Sequence, residues 1–218
     1  LSTIITDAVT ALSGNLALLP EGSGVVTIDG LTHPAADGSA NQLMKTNGSG
    51  VLSFVDAPSA GFTQSASQAT TSGTSVTFGS IPSGTKMIVV NYFDVSSDAG
   101  ESDDGLELTI GDAGGIETSG YISMRAQLRS SANVIFDDTA FWELGNHLDA
   151  STKWRGSAIL SLQDAASFRW ICQWQTMDTA NAATVDVGCG SKALSAELTQ
   201  LKVETGTFDS GSISIMFQ

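Results

Sequence analysis

Alternation with a period of two dominates the C-terminal two thirds of this chain. In GLELTIGD, Leu106, Leu108 and Ile110 point one way while Glu107 and Thr109 point the other. In SFRWICQWQTMD, Phe168, Trp170, Cys172 and Trp174 share a face, and in SISIMFQ so do Ile213, Ile215 and Phe217. SVTFGS sets Val76 and Phe78 on one side. Successive side chains of a strand point to opposite faces, whereas a helix would need apolar residues every three or four positions. TKMIVVNYFDVS is apolar on both faces and reads as a central strand. RGSAILSLQD and the strand after it read as a hairpin closed near Asp164-Ala165-Ala166. With Gly, Asp and Ser turns between the segments, residues 74–218 are expected to form an antiparallel β-sandwich. About eight strands over this length suit a jelly roll, and a domain near 150 residues buries roughly 70% of its unfolded surface, enough to fold alone.

The N-terminal part is written differently. GSGVVTIDG at residues 22–30 is echoed by GSGVLSFVD at residues 48–56. Val25 aligns with Val51 and Ile28 with Phe54, each copy reading as a tight turn entering a short strand. Pro34 and the Ala-Asp-Gly and Thr-Asn-Gly turns break the sequence between them. Strands of four or five residues enclose almost no interior. Val25, Ile28, Leu43, Val51 and Phe54 are therefore expected to meet other copies of the chain, as a thin stem over residues 20–60. Residues 61–73, small and polar, read as a linker. Residues 1–19 read as a short helix or an irregular segment, with Leu1, Ile5, Ala8 and Leu12 at seam-like spacing.

Charge narrows the partners. The formal net charge is −14, from 9 basic and 23 acidic residues. Phosphate backbones require Lys and Arg clusters, so nucleic acid is excluded as a partner. Anionic membrane surfaces are disfavoured for the same reason, and no apolar run approaches the ~20 residues of a membrane span. The sequence opens at Leu1 without a basic leader, and no signal peptide is expected. Cys172 and Cys189 are expected to be reduced, apolar fillers.

Four segments carry a family resemblance. HPAADGSANQLMKTNGSGVLSFVD, residues 33–56, resembles a turn-and-strand segment of bacteriophage fibre proteins. FGSIPSGTKMIVVNYFDVSS, LTIGDAGGIETSGY and the ending LKVETGTFDSGSISIMFQ resemble the β-sandwich module that often follows it. Together they touch most of residues 30–218. The resemblance implies a homotrimeric virion component with an intertwined stem, a globular head, neighbouring fibre or tail proteins, and a host surface glycan or protein as the contact.

Three groups of residues are candidates for chemistry. In AFWELGNHLDASTKW, Phe141, Trp142, His147 and Trp154 are placed in a loop of a rigid sandwich, where aromatics stack on sugars or grip a protein. The alternative is that Phe141 and Trp154 turn inward at strand ends. The acidic run from Asp94 to Asp112 includes Asp98, Asp103 and Asp104 and reads as a solvated loop, with calcium as the alternative cofactor. His33 next to Pro34 reads as a polar stem residue, with a metal on a trimer axis as the alternative. No Ser-His-Asp constellation, phosphate loop or diagnostic pair of carboxylates stands out, so an enzyme is not expected. Two other readings stay open: a connector without receptor specificity, and a polysaccharide depolymerase.

Overall fold

The computed structural model describes residues 26–57, 61–98, 105–129, 133–146, 151–179 and 184–218. The chain divides into two compact units, Leu1–Ala60 and Gly61–Gln218. The expected helix at residues 1–19 and Val25 lie outside the described residues.

The described residues of the first unit form two hairpins. Strands β1 (Thr27–Ile28) and β2 (Leu31–Thr32) pair through Asp29 and Gly30. Both turn residues have positive φ, 51° and 75°, the geometry that suits a two-residue hairpin and favours Asp-Gly. Strands β3 (Gln42–Thr46) and β4 (Leu52–Asp56) form the second hairpin, whose loop is held by Asn47 Oδ1 accepting from Ser49 N (2.8 Å) and Val51 N (3.1 Å). The sequence echo does not produce equivalent structures. β1 pairs with the strand after it and β4 with the strand before it, because the first copy ends in the turn Asp29-Gly30 while the second has Val55-Asp56 in those places and ends without a turn. The hairpins touch through a parallel bridge between Thr32 and Val51.

The second unit is a sandwich of two antiparallel sheets, so the all-β expectation holds. The larger sheet draws on β5 (Thr63–Gln64), β6 (Gln68–Ala69), β8 (Met87–Ser97), β11 (Tyr121–Arg129), β12 (Val134–Asp138), β14 (Trp154–Asp164), β15 (Arg169–Asp178), β16 (Thr184–Ala193) and β18 (Phe208–Phe217). Its order is β12-β11-β16-β15-β14-β8-β18-β5, with β6 also on β18. The smaller sheet holds β7 (Ser75–Phe78), β9 (Leu106–Asp112), β10 (Gly115–Ile116), β13 (Trp142–Gly145) and β17 (Gln200–Glu204). Its order is β10-β9-β17-β7, with β13 sharing the β10 side of β9.

The alternation sorts the core largely as the sequence implies. Leu106, Leu108, Ile110, Trp170, Cys172, Trp174, Ile213 and Ile215 are all buried, and β14 and β15 form the expected hairpin. Thr109 departs from its outward assignment: it is buried, its hydroxyl donating to Lys202 O at 3.4 Å, because β9 is flanked on both sides. The central strand β8 sits between β14 and β18, yet its second apolar side is open, with Phe93 exposed.

The expected linker is corrected most plainly. Residues 61–73 belong to the sandwich unit: Thr63 and Gln64 pair with Phe217 and Met216, and Gln68 and Ala69 with Ile213 and Ser212. Thr70 is fully buried, donating its hydroxyl to Ser210 O (2.8 Å) and its amide to Gly211 O (3.0 Å). A small, polar segment suits this place because it satisfies the free backbone edge of β18.

Candidate functional site

The two tryptophans of the expected aromatic contact patch are not at the surface. Trp142 is completely buried and Trp154 nearly so, while Phe141 is half-buried. His147 lies outside the described residues. Trp142 is buried because it belongs to a strand, β13, rather than to a loop. Its indole meets Tyr121 edge-on, with ring centroids 5.1 Å apart, and its Nε1 donates to Ile122 O at 3.3 Å. Glycines provide the seats for these rings. A Cβ at Gly190 would come within 2.6 Å of Trp142 Nε1, and one at Gly188 would overlap the Trp174 ring. A Cβ at Gly145 would lie 3.4 Å from the Trp154 ring, in ordinary contact. The V-G-C-G sequence of β16 was the available signal that indoles lie flat across it.

Polar ties join the two sheets beside these rings. Tyr121 Oη accepts from Ile110 N (2.8 Å), and Thr176 Oγ1 donates to Leu144 O (2.7 Å). Arg125, buried in β11, donates through Nε to Glu143 Oε2 of β13 (3.1 Å) and through Nη1 to buried Asp186. Its guanidinium lies over the Phe136 ring, 4.1 Å from the centroid. Burial pushes both Glu143 and Asp186 up, and the Arg125 charge opposes that rise. Cross-strand register then sets Glu204, Glu107 and Glu143 side by side on β17, β9 and β13. Burial, reinforced by Glu204, Asp138 and Glu143, raises Glu107 to about 7. This cluster binds the layers together and stores like-charge repulsion between them. Among the described residues, no group of three His, Cys, Asp or Glu side chains is placed to hold a metal. Asp98 is exposed, and Asp103 and Asp104 lie outside the described residues.

Among the described residues, exposed apolar side chains gather mainly in two places. In the first unit, Ile28 is 49% exposed, Leu43 53%, and Met44 and Val51 are also open. Phe54 is half-buried, its ring set so close to Gly38 that a Cβ there would come within 2.7 Å. In the second unit, the outer face of the large sheet exposes Ile122, Met124, Ile135 and Ile159. Cys189 lies on this face, free and exposed, whereas Cys172 is free and buried in the core. Only the second cysteine therefore departs from the expected core filler, because its strand parity turns it outward.

No family model, no curated protein and no solved structure shows a significant match to this chain.

Proposed function

We propose that the chain is a homotrimeric structural and adhesive component of a phage virion fibre. In this reading the first unit forms a thin stem by associating with two further copies, and the sandwich is the head that meets the host surface. The observation that carries it is the contrast in burial within the first unit. Among the described residues, Ile28, Leu43, Met44 and Val51 are open on hairpins that enclose no buried apolar side chain. Isolated two-stranded hairpins are at best marginal in water. At about 25 cal/mol per Å² of apolar surface removed, shared burial among three copies stabilises such a stem by several kcal/mol.

The fibre assignment is supported by the order of turn and strand segments from His33 to Gln218. Neighbouring fibre or tail proteins would hold the stem, and the head would contact a glycan or protein of the host. That contact draws on loop positions around half-buried Phe141, since Trp142 and Trp154 are occupied in the core. With a net charge of −14, the contact relies on hydrogen bonds and stacking rather than on steering by charge. The purified chain should compete with virions for adsorption to host cells, and moderate salt should leave that competition intact. Undiminished adsorption at saturating protein would contradict the adhesive role and leave a connector.

A further inference from the structure

We propose that the outer face of the large sheet is where the head packs against other copies of this chain; the choice of occupant rests on the trimeric reading of the stem. The face is built by register. Met124, Cys189, Gln173 and Ile159 lie in one row across β11, β16, β15 and β14. The next row is Ala126, Val187, Gln175 and Ser157. Neither row carries a charge from β11 to β14, in a chain with 23 acidic residues; the first row ends at Asp137, opposite Met124 on the edge strand β12. Beyond them Arg155 is held by Asp94 in a two-pronged ion pair (2.6 and 2.8 Å) and lies over the Phe93 ring, 4.3 Å from its centroid. Shallow hollows between Gln173, Gln175 and Val187 roughen an otherwise even surface.

Three considerations select another copy as the occupant. Apolar side chains with Met among them, and few charges, are the composition of an interface core rather than of a solvated sheet face. Copies of a chain with net charge −14 repel one another, and a face whose rows carry no carboxylate from β11 to β14, with Asp137 only at the β12 edge, lets them approach without burying like charges at its centre. The hairpin unit is joined covalently at Ala60–Gly61. Stem association therefore holds the heads at an effective concentration on the order of millimolar, where a modest apolar contact suffices. A basic partner would find only Asp137, at the edge of the rows, to read, and an anionic lipid surface no basic group along them.

Cys189 reports directly on this face, and buried Cys172 reports on whether the head is folded. The 218-residue chain is labelled with a water-soluble thiol reagent over a range of protein concentrations, with sedimentation velocity on the same samples. Cys189 should react on the order of tenfold more slowly where the oligomer predominates, since a covered thiol reacts only through opening. Val187→Glu should restore fast labelling of Cys189 with Cys172 still unreactive. If Cys172 becomes reactive in that variant, the more exposed Met124→Glu replaces it. Fast labelling of Cys189 within a sedimenting oligomer overturns this interface while leaving the stem reading intact. A monomer at every concentration overturns both. Protection that persists at dilutions where only monomer sediments also overturns it, because the cover is then internal to one chain.

Discussion

The two units solve the same problem in different ways. The sandwich turns Trp142, Trp154 and Trp170 into a closed interior and ties its layers through Tyr121, Thr176 and Arg125. The hairpin unit uses similar residue types, β-branched and aromatic, yet leaves Ile28, Leu43 and Val51 open. The difference is what stands opposite each strand. Alternation creates an apolar face, but burial needs a second layer, which strands of two to five residues do not supply. Stability should therefore depend on single residues in the sandwich and on assembly in the hairpins.

The largest effect is expected at Trp170. Trp170→Ala should cost about 3–5 kcal/mol in the head's denaturant transition, as loss of a core aromatic does. A cost below about 1 kcal/mol would mean that the ring does not bridge the layers. Arg125→Ala should be nearly as damaging, about 3–5 kcal/mol, because Asp186 and Glu143 lose their counter-charge. That loss should be greater at pH 8 than at pH 5, where the two carboxyls escape part of the penalty by protonation. Equal losses at the two pH values would place the residue's contribution in packing over Phe136 instead. Next comes Gly190→Ala, expected to cost about 1–3 kcal/mol by crowding the Trp142 indole and the Ile122 carbonyl.

A gentler test uses proton linkage. Glu107 is raised from 4.5 to about 7 in the folded head. The folded state then holds a proton that the unfolded state has released between those values. Stability from this group is fully present below about pH 4.5, declines as pH rises towards 7, and is level above it. Glu107→Gln should flatten that part of the profile and gain most over the parent above pH 7. An unchanged profile would assign the slope to Glu143 or Asp186, both raised in the same direction. The smallest effect belongs to the hairpins: Ile28→Ala should shift the head's own transition by no more than about 0.5 kcal/mol, as exposed positions do.

What the sequence disclosed follows from this contrast. The inward sets on β9, β15 and β18 were legible because each strand has one apolar and one polar parity. Trp142 was not, because a four-residue strand flanked by turn-like residues reads as a loop; the glycine that seats its ring, Gly190, lies far along the chain on β16. Residues 61–73 misled for a related reason. A small polar segment has no periodicity, whether it crosses solvent or closes a sheet edge, and only its long-range pairing with β18 decides. The outer face was half visible: β8 reads apolar on both sides, but strand periodicity cannot say whether a second layer covers the outer one.

The division of labour between the units is tested most directly by sedimentation equilibrium of the 218-residue chain at micromolar concentration, alongside Leu43→Asp. Leu43 is open within one chain, so its substitution should leave the fold of the head unchanged. A trimer is expected for the parent, and dissociation to a folded monomer for the variant, since association would bury three like charges together. A parent that remains monomeric, or a variant that remains fully trimeric, would contradict a stem whose core is shared among chains.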